Sequence, residues 1–240
     1  MKRITLVVSS FFMFAALISA QNVDEIISNY AKAAGGMDQW DKIKSIEMKA
    51  KINQMGMEFP ATMLMKDPNM FKTEINVMDK NLVFAFDGKE GWNINPFQGS
   101  GKPEKMSEEE SKKMADENNM KSDLMFYKKN EAKVELLGSE ELEGTPVYKI
   151  KMTKKSGDEI TYYIDKDSYL IVAERTKAKS GEAAGIEVDQ FFSDYKQVGD
   201  VIMPHFMEQK ANGQSIMKTT INEIKLNLEI DNKVFAFPTK

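Results

Sequence analysis

The stretch IEMKAKINQMGMEFPATMLM, residues 46–65, decides how this chain folds. Ile46, Met48, Ala50 and Ile52 alternate with Glu47, Lys49, Lys51 and Asn53; past Gly56, the residues Met57, Phe59, Ala61, Met63 and Met65 alternate with a more polar set. A period of two marks a half-buried strand, because successive side chains leave a pleated backbone on opposite faces. Two such runs joined near Gly56, each with one wet side, predict an antiparallel pair.

The same pattern extends in both directions. Phe71, Thr73, Ile75 and Val77 share one face, and Leu82, Phe84 and Phe86 share another before an Asp87-Gly88 turn. Gly91, Trp92, Ile94 and Pro96 form a short strand that leads into Gln98-Gly99-Ser100-Gly101. In the second half, strand-length runs fall at 134–137, 147–152, 160–164, 170–175, 186–192, 201–207 and 216–224, with Gly144, Gly157, Gly181, Gly199 and Gly213 between them. The fold class is therefore mainly β (α+β), with about eleven strands. No internal repeat or linker divides the chain, so one domain is expected. A sheet with one apolar face hides it by stacking on a second sheet, by closing into a barrel or by curling over helices.

Helices occupy two places. Asn22 and Glu25 stand at capping-box spacing, Val23, Ile26, Ile27, Tyr30 and Ala34 recur on one helical face, and Gly35-Gly36 ends the run. Asp38 is expected to cap a short second turn carrying Trp40 and Ile43. Between the strand groups, Ser107 and Glu110 form a second capping box, and Asn118-Asn119 breaks that helix. The apolar cluster Met120, Leu124, Met125, Phe126 and Tyr127 follows. The segment from Met106 to Tyr127 reads equally as a mobile cover over the sheet or as a solvated surface helix docked by a few apolar residues.

Lys2 and Arg3 precede an apolar run from Ile4 to Ile18 that ends in Ser19-Ala20, the layout of a cleaved secretory signal. The expected division is a signal peptide over 1–20 and a single domain over 21–240, acting in the periplasm. With no Cys anywhere, the chain carries neither a disulfide nor a thiol-linked lipid anchor, so a soluble product is expected. Without the signal, 31 basic residues face 37 acidic ones, a balance that disfavours nucleic acid. One histidine, His205, leaves no His-based metal cluster or catalytic relay. Methionine is in excess: 18 in all, 11 of them between Met48 and Met125. Such residues fill irregular cores, and they also suit binding surfaces that accept varied shapes.

A curled sheet with a helical cover leaves room for a cavity lined by Met, Phe and Ile. At roughly 0.8 kcal/mol per buried methylene, a sixteen-carbon chain offers about 12 kcal/mol as an upper bound. Candidate wall residues, taken from strand parity, are Met48, Ile52, Met57, Phe59, Met63, Met65, Phe71, Ile75, Phe84, Phe86 and Trp92. Met120, Leu124 and Met125 stand on the cover.

Four segments carry a family resemblance: Tyr30-Ala31-Lys32-Ala33-Ala34-Gly35-Gly36 with Ile43-Lys44-Ser45-Ile46; Asp87 to Pro96; Gly144 to Ile150 with Tyr162 to Asp165 and Tyr169 to Ile171; and Asp194-Tyr195-Lys196 with Val201 to Pro204, Asn227 to Asp231 and Phe235 to Pro238. In that order the chain resembles the outer-membrane lipoprotein-sorting proteins, the LolA-like group of the LolA/LolB/LppX superfamily. The resemblance implies an incomplete antiparallel barrel formed by one curled sheet, helices in its concave mouth and a hydrophobic cavity for lipid chains. It also implies residence in the periplasm and no catalytic residues. One departure stands out. The best-known carrier of the group uses an early-strand arginine to hold its lid, whereas here the only Arg after the signal is Arg175, and the early strands carry Lys49 and Lys51.

The expected function is a periplasmic lipid or lipoprotein carrier, a monomer without cofactor or metal that meets membrane proteins of either membrane. The alternative is a non-enzymatic envelope interaction or sensor module that takes a protein on the same face. Enzyme readings are thin. Ser193 and Lys196 have Ser-x-x-Lys spacing but lie in a strand-to-turn segment, and Gly99-Ser100-Gly101 lacks the rest of a phosphate loop. Carboxylates such as Asp165, Asp167 and Glu108 to Glu110 read as surface solvation, and His205 and Trp92 read first as structural.

Overall fold

Strand β1 (Ser45–Gln54) and strand β2 (Met57–Lys66) pair antiparallel, with Ile46 opposite Met65, Met48 opposite Met63, Ala50 opposite Ala61 and Ile52 opposite Phe59. The two apolar rows therefore share a face, as the alternation requires. This is a computed structural model that describes residues 23–178 and 185–239. The predicted signal, the Asn22 half of the first capping box and the Gly181 turn lie outside the described residues.

The meander runs on through β3 (Met70–Val77), β4 (Lys80–Phe86), β5 (Gly91–Ile94) and β6 (Glu104–Lys105). The second half supplies β7 (Lys133–Leu142), β8 (Thr145–Thr153), β9 (Glu159–Asp165), β10 (Ile171–Lys177), β11 (Glu187–Val198), β12 (Val201–Ala211) and β13 (Gln214–Leu226). All thirteen lie in one antiparallel sheet, ordered β6-β5-β4-β3-β2-β1-β13-β12-β11-β10-β9-β8-β7. The sheet is curled and its two outermost strands do not pair, so the barrel is incomplete. The strand count exceeds the expected eleven or so, in part because β6 has two residues and carries no readable period. Strand β7 also outruns its apolar core of 134–137, passing a bulge between Leu136 and Gly138.

Helix α1 covers residues 23–33 and α2 is Met37–Lys42. Gly36, with no side-chain cap, precedes α2, and Asp38 sits inside its first turn. The expected cap at Asp38 is thus displaced by the glycine turn that ends α1. Gly35 has φ +105°, and a Cβ there would lie 2.5 Å from the Asp200 carbonyl oxygen. That approach lets the Ile202 amide donate to the Ala34 carbonyl at 3.1 Å, tying the end of α1 to β12. Val23, Ile26, Ile27, Tyr30, Ala31 and Ala34 are buried against the sheet, in the core that holds Ile46, Met48, Ile150 and Tyr162.

Helix α3 (Glu108–Glu117) starts with the expected capping box: Ser107 accepts from the Glu110 amide, and Glu110 accepts from the Ser107 amide. It ends at Asn118. Ser111 Oγ accepts from the Gly91 amide at 2.9 Å, and a side chain at Gly91 would meet Ser111 and Met106. Ala115 packs on the stacked pair Phe71 and Phe86. The chain then crosses to Leu124, Met125, Phe126 and Tyr127, all buried. Among the described residues no helix is long and apolar enough to cross a membrane.

Candidate functional site

Cross-strand register assigns every wall residue to a face. Met65 pairs with Phe71 and Ala61 with Ile75; Phe71 pairs with Phe86, Thr73 with Phe84 and Ile75 with Leu82. Met48, Ile52, Met57, Phe59, Met63, Met65, Phe71, Ile75, Phe84 and Phe86 thus lie on the inner face, the one that carries α1 and α3. Trp92 does not. It pairs with Ala85, so it stands on the outer face, packed with Val83, Ile94 and Phe237. Its indole N–H donates to the Phe235 carbonyl at 2.7 Å, which fastens the C-terminal tail across the outside of the sheet. The wall placement of Trp92 is therefore corrected: a four-residue strand shows its own alternation but not the parity of its neighbour.

The inner-face residues divide by cover. Met48, Ile52, Phe71 and Phe86 are buried, as are Leu124 and Met125 from the crossing segment, so this end is filled by the protein's own side chains. Met63, Met65 and Met120 are half-buried and pack against that core. Toward the hairpin tips, Phe59, Met63, Ile75, Leu82 and Phe84 are only half-buried and Met57 is exposed. This is an apolar strip that α3 leaves open, since its contacts fall on β4 and β5 near the Phe71-Phe86 row. Strand β1 separates the strip from β13, where Met217 pairs with Gln209 of β12.

Beyond Gln209 the inner face turns polar. A cavity of about 480 Å³ lies between the crossing segment and β9 to β12. Its floor includes Tyr162, Glu174, Thr176, Val188, Gln190 and Gln209. Glu174 pairs with Tyr162 on one side and Gln190 on the other, which places three inward side chains in one row. Burial pushes the Glu174 carboxyl up to about 7, with Asp123 adding to the rise and Lys154 opposing it. Burial also raises the Tyr162 hydroxyl well above its usual range.

The roof is held by polar clamps. Lys154 Nζ lies 2.6 Å from Asp123, and both side chains are largely shielded from solvent. Lys121 reaches Asp41 at 3.3 Å. Tyr127 donates to Asp24 of α1, and Lys128 reaches the same carboxylate at 3.3 Å. The Tyr127 hydrogen bond, with Lys128 adding to it and burial opposing it, holds the Asp24 carboxyl below its usual range. The 106–127 segment divides between its two readings: α3 is a largely exposed surface helix docked by Met114 and Ala115, whereas Leu124 to Tyr127 are buried against the inner face.

None of these clamps uses the arginine. Arg175 stands on the outer face with Asp189, bound at 2.6 Å and 3.0 Å, one residue from the inward Glu174. Lys49 and Lys51 also point outward, to Glu223 and Glu58. Lys196 binds Asp194 at 2.7 Å, which occupies the ammonium of the Ser-x-x-Lys spacing. His205 is buried, with Nδ1 3.1 Å from the Met203 carbonyl. Among the described residues no three acidic or histidine side chains gather as metal ligands.

Sequence reasoning missed Tyr162, Glu174, Gln190 and Gln209 as a site. A signal existed: Gln190 lies between Val188 and Phe192, and Gln209 lies between Met207 and Ala211, each a polar residue flanked by apolar ones of its own parity.

A family model described as "Uncharacterized protein" matches residues 82–237. No curated protein matches the chain. Among solved structures, the chain is similar to a DUF1329 family protein from Desulfovibrio piger, with 14% identity over 89% of this chain and 97% of that one and a TM-score of 0.60. It is similar to a LolA superfamily protein from Nitrosomonas europaea, with 10% identity over 89% and 97% of the two chains and a TM-score of 0.55. A domain from Vibrio parahaemolyticus described as an outer membrane lipoprotein-sorting protein aligns with 12% identity over 88% and 94%, at a TM-score of 0.54. At these identities the likeness is one of fold.

Proposed function

Because the chain belongs to the family whose model matches residues 82–237 and has the open-barrel fold of the LolA superfamily, we propose that it is a periplasmic, non-enzymatic carrier of an acyl-bearing lipid or lipoprotein. The observation that carries this reading is the open apolar strip of Phe59, Met63, Ile75, Leu82 and Phe84 beside a roofed cavity. Methylene chains laid on such a strip lose water contact on both partners, and flexible Met side chains adapt to their contour. The buried end of the face needs no ligand, so cargo enters at the hairpin tips. Solvent remains on one side of a chain bound there, which keeps its release feasible.

Mass spectrometry of organic extracts from the purified full chain tests this. Co-purifying lipid in near-stoichiometric amount is the expected result; an empty protein that also fails to take up a dodecyl probe overturns it. A protein partner on the same face is the second reading. It is favoured by Met55 and Met78, which are 92% and 74% exposed on two adjacent hairpin turns. A protein that is empty of lipid and saturable by one defined envelope protein would establish it.

A further inference from the structure

We propose that the polar cavity under the crossing segment binds an ammonium group, with Glu174 as its anionic partner, and so selects amphiphiles that carry a cationic amine head. The proposal rests on the carrier reading, because the apolar strip is what holds the chain attached to that head.

Three observations carry it. The cavity, at about 480 Å³, has room for a small head group, and its Gln209 wall adjoins Met217 of β13, with β1 alone between β13 and the strip. At its floor the one charged side chain is Glu174, flanked by Tyr162 and Gln190. Among the described residues Glu174 has no hydrogen-bond or ion-pair partner, unlike Asp123, whose charge Lys154 answers at 2.6 Å. A lone carboxylate facing a sheltered space is costly unless something arrives to pair with it. The complementary group is a cation with N–H donors, to which the amide and hydroxyl oxygens of Gln190, Gln209 and Thr176 are available as further acceptors. An anionic head would meet Glu174 as a like charge.

The charged and titratable groups around Glu174 come from every side: Asp123 from the crossing segment, Lys154 from the turn after β8, Tyr162 from β9, Tyr30 from α1 and Tyr195 from β11. Lys113, Asp116, Lys121, Asp158, Glu159 and Lys177 also line the cavity. Of these, Glu174 is the group whose ionisation falls near neutrality. Amine binding should therefore strengthen as Glu174 loses its proton.

The test compares dodecylamine, dodecanol and dodecanoate, which share one chain, below their micellar concentrations by calorimetry on the full chain. Dodecylamine is expected to bind about tenfold tighter than dodecanol at about pH 8, the equivalent of one modest charge-assisted contact. The ratio should shrink toward unity at about pH 6, where the carboxyl holds its proton. Glu174→Gln should remove the ratio at both pH values while dodecanol binding persists. Equal binding of dodecylamine and dodecanol by the unaltered protein, tightest binding of dodecanoate, or a preference that survives Glu174→Gln overturns the proposal and leaves the carrier reading standing. Failure of all three probes to bind removes both. Should the variant not fold, the pH series on the unaltered protein decides: a ratio constant across that range overturns the proposal.

Discussion

The inner face of the sheet has two halves built by one rule to different ends. Over β1 to β4 the inward positions are Ile, Met, Ala, Leu and Phe with Thr73 among them, and over β9 to β12 the same parity sets Tyr162, Glu174, Gln190 and Gln209 among Ile164, Val188, Phe192 and Met207. The first half is plugged at its base by Leu124, Met125 and α3 and left open at its tips. The second half is roofed by the crossing segment, with a cavity beneath. The pleat decides only which side chains point inward. What the inward side does depends on what lies over it.

The largest effect tests the boundary of the first half. Trp92→Ala, on the outer face, should cost about 3–5 kcal/mol in denaturant unfolding, because a buried ring and its bond to the tail are both lost. Uptake of a dodecyl probe by the folded fraction should stay unchanged; a loss of uptake would return Trp92 to the wall.

The next effect belongs to the second half and depends on pH. With its folded-state carboxyl raised from 4.5 to about 7, Glu174 binds its proton more tightly in the folded chain. Its contribution to stability is complete below the lower value and is lost as pH rises through the upper one. Glu174→Gln should therefore be more stable than the unaltered protein by roughly 1–3 kcal/mol above neutrality and nearly equal to it at acid pH. Unfolding curves at both ends of that range check the sign, and a destabilised variant at alkaline pH would show that the carboxylate is paired after all.

Met63→Glu sharpens the contrast from the other side. A charge in the middle of the open strip should weaken dodecanol binding by about tenfold or more while circular dichroism stays unchanged, since the position is only half-buried. Unchanged binding would remove Met63 from the wall. The smallest effect is expected at Lys51, outward and exposed beside Glu58 at 3.6 Å. Lys51→Gln should leave both the melting temperature and probe binding where they are.

Much of the first half was legible in the chain. The alternation from Ile46 to Met65 named the inward row, the Ser107-Glu110 box located α3, and Asn118 marked its end. Legibility failed at Trp92, where parity across a hairpin depends on register. It failed again at Glu174, whose neighbour Arg175 is also charged, so that neither residue announces a face. The resemblance to LolA-like proteins anticipated an open barrel, and the neighbours at TM-scores of 0.60 and 0.55 share that fold. It did not anticipate a polar cavity.

By itself, the order of residues determined the strands, the capping box of α3 and the sidedness of long runs, because these follow from bonds and side chains within a few positions of one another. Only the tertiary structure decided that Trp92 faces out, that Leu124 and Met125 plug the base, and that Glu174 lines a cavity with Tyr162 and Gln190 beside it. Each of those outcomes depends on which distant strand or segment comes to lie alongside. A two-residue period is a local property of the pleat, and it carries no information about that partner.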